Sequence, residues 1–176
     1  MSVSNSSNAV AKDESDDLHP LIEKVRHSSV PIATLIGFHV EDITRGRAVA
    51  SLHSGPQHAN PMGTLHGGVL CDLTDAAMGM AFVSTLASDE SFTTMDLAIK
   101  FFRPIWQAML RAEARVVNRG RSLGYVECEV FDEEHRLVAK ATSTCFVLRG
   151  DEALRIKAND EPGRLTLAVK CHGEEV

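Results

Sequence analysis

Asn60-Pro-Met-Gly-Thr-Leu-His66-Gly67-Gly68-Val-Leu-Cys-Asp72-Leu-Thr-Asp75 is a polar, glycine-bearing turn that runs straight into an apolar helical pattern with carboxylates inside it. Gly67 and Gly68 let backbone N–H groups approach a ligand closely, and the helix that starts there adds a partial positive charge. Such a turn can hold a polarised carbonyl oxygen. Val69, Leu70, Leu73, Ala76, Ala77 and Met80 form one apolar side of a helix predicted from Gly67 to about Leu86, while Gly68, Asp72, Asp75 and Gly79 recur on another. At 1.5 Å per residue that helix is about 30 Å long. Its remaining surface is small or apolar, which suits a helix wrapped by a sheet.

Outward from this stretch the pattern is mostly strand. Upstream, Phe38–Ile43 and Ala48–Leu52 flank the turn Thr44-Arg-Gly46-Arg and read as a hairpin, and residues 54–65 hold Gly55, Pro56, Pro61 and Gly63, the composition of an irregular loop. Downstream, strand character covers Thr93–Phe102, Ala108–Val117, Gly124–Phe131 and Leu137–Leu148. Alternation is clearest where Met95, Leu97, Ile99 and Phe101 oppose Thr94, Asp96, Ala98 and Lys100. Short connections predict antiparallel neighbours. One long buried helix with a meandering antiparallel sheet makes an α+β domain.

Leu21, Ile22 and Val25 recur at helical spacing between Leu18 and Val30, and Pro31 disfavours continuation, so a short helix is expected there. Residues 1–17, rich in Ser, Asn, Asp and Glu, have the composition of a disordered tail. The domain is expected over residues 18–149. Residues 150–176 form a C-terminal extension in which Leu165–Val169 reads equally as strand or tail.

The chain has 176 residues, 44% hydrophobic and 24% charged, the profile of one soluble globular domain with tails. No apolar run reaches the roughly 18 residues of a membrane span. A net charge of -6 argues against a nucleic-acid partner, which needs a concentrated basic face. Cys71, Cys128, Cys145 and Cys171 contain no C-x-x-C pair and suggest neither zinc nor a disulfide framework. With no secretory signal pattern at the N-terminus, a cytoplasmic location is expected.

The spacing Asn60-x5-His66-Gly67-Gly68-x6-Asp75, followed by Thr94-Met-Asp-Leu-Ala-Ile-Lys-Phe-Phe-Arg103-Pro104, resembles the phenylacetic-acid-degradation (PaaI-like) type of hotdog-fold acyl-CoA thioesterase, over about residues 30–148. The resemblance implies a hotdog fold and hydrolysis of a medium-chain or aromatic acyl-CoA. It puts Asp75 on the family's catalytic carboxylate, as general base or nucleophile. Asn60 falls on the residue that positions substrate or water, and Gly67 on the N–H that polarises the thioester carbonyl. His66 is the histidine beside that glycine, and Thr94 a hydroxyl that helps hold water near the carboxylate. Arg119 and Arg121, flanking Gly120 at a hairpin tip, and Arg103 are the candidates for the phosphates of CoA, since a planar guanidinium fork suits phosphate oxygens. A homodimer or homotetramer is implied, with Asn60 and Gly67 of one protomer facing Asp75 of another. No metal and no cofactor beyond the CoA of the substrate are expected.

Each residue also has a plainer reading. Asp75 fits a solvated helix face, Asn60 a turn former beside proline, Gly67 a tight turn, Thr94 a strand start, and the hairpin arginines a solubilising role. Asp72, one turn before Asp75, matches no family role and reads as structural. His53, His58 and His66 lack the closely spaced pair of a metal site. Met62, Met78 and Met80 read either as an adaptable acyl pocket or as core. Two other functions stay open: an enoyl-CoA hydratase or dehydratase using His66, and a non-catalytic acyl-CoA-binding regulator.

Overall fold

The structure is a computed structural model and describes residues 19–27 and 30–153. The expected tail over 1–17 and most of the 150–176 extension lie outside those residues. Helices α1 (Pro20–His27) and α2 (Pro31–Ile36) precede the hairpin β1 (Phe38–Thr44) and β2 (Arg47–Ser54). A 3-10 turn at Pro56–His58 leads to the long helix α3 (Gly67–Val83), and β3 (Ser91–Phe101), β4 (Ala108–Arg119), β5 (Leu123–Phe131) and β6 (Leu137–Leu148) follow.

Among the described residues, six strands join one antiparallel sheet in the order β1-β2-β4-β5-β6-β3, and each of them touches α3. This is the hotdog architecture. Small side chains on the inner face, Ala48, Ala50, Ala112, Ala114, Ala139 and Ala141, let the helix lie close to the sheet. Larger residues of α3, among them Leu73, Met78 and Phe82, then fill the layer between. The helix stops at Ser84, whose Oγ donates to Ala81 O and accepts from Gly46 N, so it spans 17 residues and falls short of Leu86.

Three departures from the sequence reading matter for the site. Pro31 opens a second helix instead of only ending the first, because proline at a first helical position gives up an N–H that has no partner there anyway. Strand β3 pairs with β6 at the sheet edge, so the meander is broken between β3 and β4. The connecting loop is pinned across the sheet end by Phe102 N to Val138 O at 2.9 Å and Leu65 N to Ile105 O at 2.6 Å. Gly79, expected on the open stripe of α3, is buried, and a Cβ there would meet Phe92 at 3.4 Å.

Phe82 is fully buried between α3 and the sheet. Its ring packs edge-on against Phe92 at 5.5 Å, and the Arg119 guanidinium lies 5.3 Å from its centre. Gly124 leaves room for the same ring: a Cβ at this position would overlap Phe82 Cε2 and lie 2.8 Å from Cζ. Gly124→Ala is therefore expected to cost about 2–3 kcal/mol through overpacking, read as a lower denaturation midpoint at unchanged m-value. An unaltered midpoint would mean the ring moves aside freely.

Candidate active site

The turn ahead of α3 is built by its own side chains. Asn60 Oδ1 accepts from the backbone N–H of Met62 (2.9 Å) and Thr64 (3.3 Å), and its Nδ2 donates to Thr64 Oγ1 at 2.9 Å. His58 ties this loop to α2, with Nδ1 accepting from Gly55 N and Nε2 donating to Ile36 O at 2.8 Å. Both of its ring nitrogens are therefore used in structure. His66 N-caps α3: its Nδ1 accepts from Gly68 N at 3.0 Å, so the proton of the neutral ring is on Nε2. Gly67 follows as the first helical residue. Its N–H belongs to the first turn, whose donors have no intrahelical acceptor.

Asp75 lies two turns further on and remains partly exposed. Thr94 Oγ1 donates to its Oδ1 at 3.3 Å. Simple alternation puts Thr94 on the same face as Asp96, away from the helix. A bulge between Thr94 and Asp96 reverses this: Thr94 pairs with inward-facing Cys145, and Asp96 with outward-facing Thr144. The extra residue, Met95, re-aims the hydroxyl toward α3.

Partial burial pushes the Asp75 carboxyl above the ordinary aspartate range; the Thr94 hydroxyl opposes this shift and the nearby Asp72 carboxylate adds to it. No thiol competes as a nucleophile among the described cysteines. Burial raises Cys71, and it pushes Cys145 up to about 11 and Cys128 up to about 12.

Two cavities flank the helix. One, of about 390 Å³, is lined by Asn60, Gly67, Phe101 and Arg103 among others. The other, of about 900 Å³, lies between α3, β1 and the α1–α2 segment and has Asp72 and Asp75 on its wall. The structure thus brings Asn60, His66 and Gly67 together in one place and Asp75 with Thr94 in another. Eight residues at 1.5 Å each separate Gly67 from Asp75 by about 12 Å along the helix axis.

The CoA candidates divide as well. Arg119 points inward, paired with Glu90 at 3.0 Å and resting on Phe82, and it also bonds the Gly120 carbonyl. A phosphate would have to compete with Glu90 for it. Burial works to raise the Glu90 carboxyl, but the Ala87 N–H and the guanidiniums of Arg149 and Arg119 hold it below the ordinary range. Gly120 N closes the hairpin by donating to Leu123 O at 2.8 Å. Arg121 is exposed, and Arg103 donates through Nε to Leu137 O at the rim of the smaller cavity. Of the three methionines, Met80 lines the larger cavity, Met78 is core and Met62 is exposed.

Phe101 lines the smaller cavity, a position that alternation alone did not single out. A Cβ on Gly67 would meet its ring at 3.0 Å, so the ring covers the start of α3. Helix α2 was also missed, although Pro31 followed by Ile32, Ala33, Leu35 and Ile36 is a helix-start signal.

The sequence profile of the thioesterase superfamily matches residues 62–139. Conserved protein PA5202 of Pseudomonas aeruginosa superposes with a TM-score of 0.65 at 31% identity, over 68% of this chain and 95% of that one. The phenylacetic acid degradation protein PaaI of Thermus thermophilus, solved as a point mutant, superposes with a TM-score of 0.62 at 30% identity, over 66% of this chain and 98% of that one. The medium/long-chain acyl-CoA thioesterase YigI of Salmonella typhimurium is 24% identical, over 67% of this chain and 86% of that protein. Fold and matches together define a hotdog-fold thioester hydrolase. The chain belongs to the thioesterase superfamily and, within it, is of the PaaI-like kind.

Proposed function

We propose that the protein hydrolyses a medium-chain or aromatic acyl-CoA to the free acid and CoA, at a site shared between two copies of the chain. The carrying observation is the separation on α3: an oxyanion donor and a base about 12 Å apart on one helix cannot both serve a single carbonyl. Strand β3 offers the remedy. It is an edge strand of 11 residues, uncovered among the described residues, with Met95 and Phe101 exposed, and such edges invite pairing. Thr94, which holds Asp75, lies near one end of β3, and Phe101, which covers Gly67, lies at the other. Antiparallel pairing of two β3 strands about their middle sets the Thr94 end of one beside the Phe101 end of the other.

In the shared site the Gly67 N–H donates to the developing oxyanion, helped by the helix dipole. Asp75 of the other copy, kept in place by Thr94, activates water or attacks the carbonyl, and Asn60 shapes the turn that aims Gly67. The exposed Arg121 and Arg103 are the guanidiniums best placed for CoA phosphates.

The test is complementation. Asp75→Asn and Gly67→Pro proteins, each expected to be nearly inactive on a panel of acyl-CoAs, are mixed, dissociated and reassociated. A shared site predicts recovery of roughly a quarter of wild-type activity, since half of the dimers are hybrids with one intact site of two. No recovery from proteins that do form hybrids would overturn sharing. Hydration of an enoyl-CoA without CoA release would move the reaction to His66 chemistry.

The pH dependence has a definite sign. With its pKa raised, Asp75 is expected to set the acid limb of kcat/KM above the ordinary aspartate range, and Asp72→Asn should move that limb to lower pH by removing a neighbouring negative charge. A limb that stays in place would show that the two carboxylates do not interact. For stability the same shift means that ionised Asp75 opposes folding. Its favourable contribution is full below the unfolded aspartate pKa and is lost as pH rises through the folded value.

A further inference from the structure

The larger cavity touches the proposed chemistry only at its Asp75 wall, which leaves most of its volume without a role. The geometry points to this cavity as the seat of the acyl group, and to an unbranched aliphatic acyl chain of medium to long length as its occupant, with α2 as the wall that limits chain length. The inference rests on the thioesterase reading. A carbonyl carbon within reach of Asp75 places the first methylenes of its acyl chain at the cavity wall beside that residue.

Most of the lining is apolar. Val25, Ile32, Ala33, Val40, Ile43 and Met80 contribute from four different elements, and Met80 adds a flexible side chain that adapts to a flexible ligand. Phe38, itself only 4% exposed, and the exposed imidazole of His39 are the ring-bearing liners, so the cavity has no exposed phenyl or indole face for a ring to stack on. Its volume, about 900 Å³, is at the upper end of ligand pockets and would be left mostly empty by a single-ring acyl group.

Three of the polar liners are held by partners within the protein, and the others are His39 and the carboxylates Asp72 and Asp75. Arg26 pairs with Glu23 at 3.1 Å, Glu41 with Arg111 at 2.8 Å, and the Thr34 hydroxyl donates back to Val30 O at 3.3 Å. Those three are engaged, and the Asp72 and Asp75 carboxylates on the α3 wall repel a carboxylate on the acyl group. The wall is also anchored. Ile22 of α1 is fully buried, His19 Nε2 bonds Glu90 O at 3.1 Å, and His58 holds the end of α2 through Ile36 O.

The experiment measures kcat/KM for acetyl-, hexanoyl-, decanoyl-, palmitoyl- and phenylacetyl-CoA in the wild type and in Ala33→Phe. The wild type is expected to gain roughly two- to fourfold per methylene until the cavity is full, with phenylacetyl-CoA near the short esters. Ala33→Phe should lower the decanoyl and palmitoyl values by about tenfold or more and leave acetyl-CoA within about twofold, because only the longer chains reach α2. Val40→Phe narrows the opposite wall and serves if the first variant does not fold. A flat series, a preference for phenylacetyl-CoA, or an equal loss on every ester overturns the assignment. If the wild type turns over none of these esters, the thioesterase reading falls and binding decides the cavity's role. Decanoyl-CoA bound about tenfold more tightly than acetyl-CoA in the wild type but not in Ala33→Phe supports the seat, and equal binding removes it.

Discussion

Asp75→Asn is expected to lower kcat by roughly 10²–10⁴-fold, with KM changed little, on whichever acyl-CoA the wild type hydrolyses best. The amide has the shape of the carboxylate, and its Oδ1 can still accept from Thr94 Oγ1, so the local packing and the bulge in β3 are expected to survive. What is lost is the negative charge that takes a proton from water or attacks the carbonyl. Because ionised Asp75 opposes folding at neutral pH, the variant should also be at least as stable as the wild type, which makes it a clean control. Residual activity within about tenfold of wild type in a folded Asp75→Asn protein would falsify the role of this carboxylate.

Gly67→Pro is expected to cost roughly 10²–10³-fold in kcat. Gly67 is the first residue of α3, where proline is tolerated, and His66 before it already has φ -67° and ψ 130°, the region a following proline demands. The substitution removes one N–H with little backbone strain. The new side chain presses on Phe101, but that ring is 51% exposed and can give way. Gly67→Ala is the matched control: it presses on Phe101 in the same way while keeping the N–H. The oxyanion role requires Ala to retain most activity and Pro to lose it. Equal losses in both would transfer the effect to crowding by Phe101.

Much of this site was legible in one dimension because its donors are local. A turn that leads into a helix, glycines at its start and a carboxylate two turns later are separated by few residues, and helix geometry converts such spacings into positions. His66 as N-cap and Asn60 as the clamp of its own turn follow the same local logic. Thr94 shows where that logic stops. Its side of β3 depends on one bulged residue, and a period-two pattern read across a bulge assigns the wrong face. Arg119 shows the same limit for charge. In sequence it is a hairpin-tip cation like Arg121, but folding brings Phe82 beneath it and Glu90 beside it.

By itself the sequence determined the α+β class, the turn and helix that carry Asn60, His66, Gly67 and Asp75, and most strand limits to within a few residues, since each depends on neighbours in the chain. Only the tertiary structure decided that β3 leaves β4 to pair with β6 as the last strand of the described sheet, that α2 walls a cavity beside Asp75, and that Gly67 and Asp75 face different cavities. Those are contacts between residues far apart in sequence. They arise from how a twisted sheet closes around one helix, and no local periodicity encodes that closure.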